Sequence, residues 1–381
     1  MKKWTKKFQV AFLAAWTMLF MPYFACAQDC DPYTFSLCKL RGIEIYGDFL
    51  YWKPCVDDMD YAAQLTKIDT VAPGDSYSQE IDYHKLGLEW KPGFRVGVAI
   101  NDVWCEWRFN GSYVNLKTND SSKFRAEEGA VVISPFQFAF LTNPSYDGVS
   151  SSGGFQRIRG KIEIDYQNWD LLMSRIICSA ECYTIAPFVG AEGLLLKQKI
   201  KTHSRLHSIR EGTVIDTPGG FGNGRALTNW KSDFHAYGIK FGTDYIYQLG
   251  DCFQFFTRGS FTIAVGENSG KNHQSLTRNS EDGIGGPQAV VVIKEKEDES
   301  SIMINGYNIQ LGFIYETETC GYDVAFRAGY EFVKWHNVPK PRRFPGGDNG
   351  NDNAYNRAIS TSPSKSTVGF HGLMAGACLT F

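Results

Sequence analysis

A chain of 381 residues is long enough for two or three ordinary domains, yet no shift in its composition marks a boundary, so one large unit is expected. Hydrophobic residues make up 43%, with a single apolar run at the extreme N-terminus, which excludes a helical membrane bundle. Aromatic residues at 14%, 38 Gly and only 21% charged residues favour strands over disorder, and 39 Lys and Arg against 41 Asp and Glu exclude a generally basic nucleic-acid binder.

Residues 1–27 read as a secretory signal peptide: Lys2, Lys3, Lys6 and Lys7, then an apolar stretch over 10–24, then Ala25-Cys26-Ala27 at the cleavage site. A lipoprotein anchor on Cys26 is the competing reading, disfavoured by the bulky Tyr23 and Phe24 before it. Cleavage removes four Lys and no acid, leaving 35 basic and 41 acidic residues, a net charge of −6. It also leaves nine cysteines, an odd number in an oxidising compartment, so at least one lacks an internal partner.

A short lead follows at 28–41, placed in the periplasm. From 42 to 381 the expected fold is all-β, an antiparallel transmembrane β-barrel of about ten strands with short periplasmic turns and long extracellular loops. The strands are predicted at 42–53, 86–100, 104–116, 161–177, 183–198, 231–249, 252–266, 303–316, 321–336 and 367–381. In the eighth, Tyr307, Ile309, Leu311, Phe313 and Tyr315 alternate with Asn308, Gln310 and Gly312. Such alternation also suits a soluble sandwich, but strands there average roughly 5–6 residues, and about 9–11 are needed to cross a bilayer. Twelve to 16 strands would result if the long loops hide more, the candidates being 131–140 and the pair 289–293 and 301–305 around the charged turn KEKEDES.

The last segment alternates Leu373, Ala375, Ala377, Leu379 and the terminal Phe381 with Gly372, Met374, Gly376 and Cys378. This ending resembles the assembly signal that outer-membrane barrels present to the barrel-assembly machinery, with Phe381 as its aromatic. Two stretches carry a wider likeness: GIEIYGDFLYWKP at 42–54 with WKPGFRVGV at 90–98, and 169–199 with WDLLMSR and APFVGAEGLL. They resemble the Legionella-type major outer membrane protein family, including similar outer membrane proteins of chlamydia-related bacteria. The resemblance implies an abundant outer-membrane barrel of a Gram-negative bacterium, porin-like or structural, with no catalytic motif. This chain departs from the pattern in its long, divergent loops and many turn cysteines.

If the aromatic face meets lipid, the lumen is lined by Glu44, Asp48, Arg95, Glu106, Arg108, Asp170, Glu192, Lys240, Asp244, Arg258, Asp323, Arg327 and Glu331. Eight acids against five bases would favour cations weakly in a porin-like channel for small hydrophilic solutes. The alternative is a mainly structural or adhesive surface protein whose lumen is closed by mutual ion pairs, since roughly eight strands leave an interior just filled by side chains. Cys30, Cys38, Cys105, Cys178, Cys182, Cys252, Cys320 and Cys378 map to the periplasmic rim, and only Cys55 to the loop side. Turns spread round a rim cannot pair beyond roughly 7 Å, which points to disulfide-linked envelope proteins or further copies as partners.

No cofactor motif and no metal site are expected, the Cys178/Cys182 spacing having no second pair beside it. The pairs Asp82/His84 and Asp233/His235 could suggest hydrolysis but read as aqueous-rim residues, so the chain is expected not to be an enzyme. KQKIKTHSRLHSIR at 197–210 reads as a solvated basic loop, a polyanion patch being the sharper alternative. The glycine-rich stretches 217–224 and 345–353 read as mobile loops, and outer-membrane lipid as the main surrounding.

Overall fold

The structure is a computed structural model. It describes residues 42–57, 59–67, 79–101, 107–125, 131–134, 136, 157–180, 182–206, 224–250, 252–278, 288–319, 322–341 and 364–381. The signal peptide and lead, Cys30, Cys38, Cys105, Glu106, Cys320, His207 and most of the two glycine-rich stretches lie outside the described residues.

Fourteen strands are described: β1 (Gly42–Val56), β2 (Asp60–Lys67), β3 (Gln79–Lys85), β4 (Lys91–Asn101), β5 (Trp107–Arg125), β6 (Val131–Ile133), β7 (Arg157–Arg175), β8 (Cys178–Ala180), β9 (Tyr183–Leu206), β10 (Gly224–Gly250), β11 (Phe253–Arg278), β12 (Gln288–Thr319), β13 (Tyr322–Lys340) and β14 (Ser364–Thr380). Ten of them, β1, β4, β5, β7 and β9–β14, pair antiparallel with their neighbours; β1 joins β14, and β9 joins β10, so the ring closes. Closure gives the strand backbones partners on both sides, which a hydrocarbon environment requires.

The reason these segments form this barrel is visible in β1. Glu44, Tyr46, Asp48, Leu50 and Trp52 are buried, whereas Ile43, Ile45, Phe49 and Tyr51 are exposed. A soluble sheet hides its apolar face; this one turns it outward and puts carboxylates inside. The same holds for β12, whose Leu311, Phe313 and Tyr315 are exposed while Gln310 is buried. Aromatic rings mark both ends of the apolar band, with Tyr247, Phe253, Tyr315, Tyr322 and Phe381 exposed at the short-turn end. At the other end Trp169 reaches Tyr237 at 6.1 Å, lying over Gly193, where an added Cβ would come 2.3 Å from the indole.

The ten expected strands are all present, but several run further than their hydrophobic pattern. β9 to β12 have 24, 27, 26 and 32 residues, far beyond the roughly 9–11 that cross a bilayer. Two expectations change as a result. Residues 197–206 of the basic stretch are the end of β9, not a loop: Lys197, Lys199, Lys201, His203 and Arg205 face outward, and Gln198, Ile200, Thr202 and Ser204 are buried. KEKEDES is not a turn between two strands but part of β12, paired with β11 from His273↔Lys294 to Asn268↔Glu299. A bulge at Ser301, with φ 58, reverses the facing there, so that Ile302 and Ile304 are buried below it and Glu295, Glu297 and Glu299 turn inward above it.

Residues 131–133 do form a strand, but outside the barrel wall. β6 pairs with β2, which pairs with β3, making a small sheet from two of the long connections. It packs inside the barrel mouth: Tyr61 and Leu86 lie against Gly160 on the inner face of β7, and Gln274 of β11 donates to the Phe136 carbonyl at 3.2 Å. Met59, Tyr61, Leu86, Val132 and Phe136 thereby join one apolar core with inward residues of the wall.

Candidate functional site in the barrel lumen

Even-numbered residues of β1, β5, β7 and β9–β12 and odd-numbered ones of β4 and β13 point inward at mid-barrel, which brings the expected charged residues to the lumen. Twelve of the thirteen are described, and they fall into layers. At the short-turn end a cavity of about 780 Å³ opens between Glu44, Arg108, Asp244, Arg258, Asp323 and Arg327. Arg108 donates to Glu44 at 2.5 Å, and Arg258 grips Asp244 through two bonds of 2.5 and 2.8 Å.

Further in, the charges close the passage. Arg95 donates to both oxygens of Glu331 at 2.6 and 2.7 Å and to Asp48 at 3.3 Å. Arg327 holds Asp48 from the other side at 2.6 and 2.8 Å and lies 4.5 Å over the Tyr46 ring. Asn308 and Gln310 each donate to Glu331 at 2.8 Å. Beside this cluster Lys240 meets Asp170 at 2.9 Å and Glu192 at 3.0 Å, with Ser112 on Asp170, and Asn168 and Thr262 on Glu192. The free space left among these side chains is about 20 Å³, roughly what one water needs.

Beyond the charged layer large aromatic side chains fill the lumen, with uncharged polar residues such as Gln198 and Thr202 among them. Trp335 on β13 donates from its indole to the Tyr166 hydroxyl on β7 at 3.4 Å. Those strands lie on opposite sides of the ring, five steps apart in either direction. Phe370 packs against Tyr166 in a tilted arrangement with 4.5 Å between ring centroids, and Trp52 lies 6.0 Å from Phe370. Gln198 on β9 likewise reaches across to the Pro339 carbonyl at 3.2 Å. Wall side chains thus meet across the barrel axis, with the small sheet above them.

The expectation of an acidic lumen is therefore modified by pairing. Glu44, Asp48, Asp170, Glu192, Asp244 and Glu331 each touch a cation, and of the expected acids that are described only Asp323 has no ion pair assigned. Glu316 was missed; it lines the vestibule and accepts from Gln254 at 3.0 Å. The aromatic stopper was missed as well, although its signal was present: Trp52 shares the parity of Asp48, Tyr166 that of Asp170, and Trp335 that of Glu331.

The cysteines divide by side. Cys182 and Cys252 are exposed at the short turns, where their carbonyls accept from Gln248 at 2.7 Å and Glu316 at 2.9 Å. Cys378 lies at the same end but faces the vestibule beside Glu44, withdrawn from partners outside. Cys55 is exposed at the opposite end of β1, and the backbone of Cys178 lies in β8. Asp82 and His84 belong to the small sheet, with His84 stacked on Phe124, while Asp233 precedes His235 on β10, and His235 meets Glu267 at 3.6 Å. Among the described residues no group of three or more His, Cys, Asp or Glu is placed to hold a metal.

A family model described as the Legionella pneumophila major outer membrane protein precursor matches residues 36–381. The chain belongs to that family. It is thus an outer-membrane protein with a β-barrel fold, and the match covers every described strand. No curated protein matches. Among solved structures, the outer membrane protease OmpT of Escherichia coli is similar at 11% identity, over 90% of this chain and 98% of that one, with a TM-score of 0.41. A FadL homologue of Pseudomonas aeruginosa shares 7% identity over 89% of each chain at 0.22, and the toluene transporter TodX of Pseudomonas putida 9% over 88% and 89% at 0.18. Likeness this remote says nothing of substrate or activity.

Proposed function

We propose that this family member is a stoppered outer-membrane barrel whose standing role is structural: a rigid wall element that holds long strand hairpins above the cell surface. The observation that carries this reading is the contact of Trp335 with Tyr166 from opposite walls, just beyond the Arg95–Glu331 cluster. A charged layer and an aromatic layer would both have to part before a solute could pass. Residues 1–27 direct export to a Gram-negative envelope, outer-membrane lipid surrounds the apolar band, and catalysis has no place in this account.

One observation favours a second, porin-like reading. The vestibule of about 780 Å³ at the short-turn end is lined in part by charged side chains, among them Glu44, Arg108, Asp323 and Arg327, which could admit small hydrophilic solutes. Single-channel recording in a planar bilayer separates the two. The purified barrel is expected to be electrically silent, and to stay silent when residues 59–86 are replaced by a short Gly-Ser linker, because the wall layers remain. A steady conductance in the intact protein, with reversal potentials that shift when Glu44 and Asp323 are neutralised, would replace the structural reading by the porin.

The structural role extends to cross-linking through Cys182 and Cys252, exposed beside the turns on the periplasmic side. Further copies or other envelope proteins would supply the partner thiols. Envelopes trapped with an alkylating agent should show reducible higher species on a non-reducing gel. Only monomer, with both thiols labelled, would remove cross-linking from the proposal.

A further inference from the structure

Outside the lumen, the loop ends of β5, β7, β9 and β10 carry a concentration of positive charge. Strand register places Arg125, Arg157, Arg205 and Arg225 side by side in one row across four strands. All four are exposed. The next row toward the membrane holds Lys123, Arg159 and His203, followed by Leu227, and the row after that Lys161 and Lys201 between Ser121 and Asn229. Side chains of these rows border a shallow cavity of about 620 Å³.

Neighbouring strands are about 4.8 Å apart, so four guanidinium groups in one row repel one another and weaken the sheet unless an anion lies over them. Among the described residues no acid pairs with any of the four. Partial desolvation of His203, together with Lys201 and Arg159 beside it, pulls its pKa down.

Nearer the membrane acids enter the rows. Lys117, Asp165, Lys197 and Asp233 share one row, and the next holds Glu163 with Lys199 and Lys231; Glu163 lies 3.1 Å from Lys199 and is held below the usual carboxylate range, first by Lys161. The rows that carry bases and no acid lie at the far end, and their height excludes lipid phosphate. Lys161 is eight residues beyond Trp169 of the aromatic row and Arg157 twelve. At ~3.3 Å per residue and a tilt of ~40° that is ~20 to ~30 Å above the apolar band. Headgroups extend only ~5–8 Å beyond the hydrocarbon.

We infer that this outward face binds an acidic polysaccharide, with the arginine row gripping successive sulfate or carboxylate groups. Planar guanidinium forks match such oxyanions through paired hydrogen bonds. The three rows contain no Phe, Tyr or Trp, and a site for single-stranded nucleic acid relies on aromatic stacking, so a polysaccharide fits better. The inference rests on the reading that this barrel acts at its surface, but its test is independent of conduction.

The test uses the detergent-purified full barrel with heparin as the sulfated probe, and neutral dextran, poly-uridine RNA and anionic phospholipid vesicles as the other arms. Heparin is expected to bind in a salt-dependent manner, and the exposed double substitution Arg157→Ser with Arg205→Ser to weaken it at least tenfold. Removing like charges from a surface row does not threaten folding, and an unchanged heat-dependent shift on gel electrophoresis would confirm that. Heparin affinity unchanged by the double substitution would overturn the inference. So would RNA or vesicles binding as tightly as heparin and losing affinity with the same substitutions, which would reassign the site to those partners. Should the barrel conduct steadily and still lose heparin on substitution, the closed-lumen reading would fail and the polysaccharide site would stand.

Discussion

Replacing Glu331 by glutamine is expected to destabilise the barrel by about 3–5 kcal/mol, the cost of leaving a buried charge without its partner. Glu331 is fully buried and accepts from Arg95, Asn308 and Gln310, all donors. Together with Asp48 it balances Arg95 and Arg327, two acids against two bases. An amide of the same shape keeps the packing but leaves the cluster one positive charge in excess and turns an NH2 group toward existing donors. The denaturant midpoint in detergent should fall accordingly. Removing both members of the pair, Arg95→Met with Glu331→Met, should cost far less, because Asp48 keeps its two bonds to Arg327. If the glutamine variant unfolds at the wild-type midpoint, water reaches the cluster, and the lumen is a wet channel.

The seam between β1 and β14 should be equally sensitive. Gly42 has φ 142, and a Cβ there would come 1.7 Å from the Phe381 carbonyl oxygen, while the Phe381 amide donates to the Ile43 carbonyl at 3.1 Å. Gly42→Val is therefore expected to prevent the first and last strands from closing, leaving exported chain that never acquires the heat-dependent gel shift. Deleting Phe381 tests a different step. It leaves the β1–β14 ladder but removes the exposed terminal ring, 5.5 Å from Tyr322, proposed as the mark for the barrel-assembly machinery. Export should continue while the fraction assembled in the outer membrane drops severalfold. A normal fraction would show that assembly does not depend on this aromatic, and a Gly42→Val barrel that closes normally would mean the seam has room that its geometry denies.

The candidate lumen was legible in part, and the boundary is physical. Parity along each strand tells which face a residue occupies: Glu44, Asp48, Asp170, Lys240 and Glu331 are buried, and their neighbours Ile43, Phe49, Leu171, Ile239 and Tyr330 are exposed. The same rule could have found Trp52, Tyr166 and Trp335, but an aromatic residue is at home on either face of a membrane strand, so its identity alone does not signal the lumen. Strand ends above the membrane were read as loops because both of their faces carry polar residues. On β9, Lys199, Lys201 and His203 alternate with Gln198, Ile200, Thr202 and Ser204, of which only Ile200 is apolar, so the hydropathy contrast that reveals a half-buried strand is small there.

The sequence by itself determined the family, the all-β barrel, the ten wall strands and the direction in which each mid-barrel side chain points, since all of these follow from local alternation, turn composition and short matching stretches. Only the tertiary structure decided what meets across the axis. Arg95 and Glu331 are 236 positions apart, and Trp335 and Tyr166 are 169 apart. Whether such pairs touch depends on the number of strands, the stagger between them and the height each residue reaches on a tilted wall, none of which a local pattern carries. The same geometry lines up four arginines from four separate strands, so the basic row, like the stoppered lumen, exists only once the ring has closed.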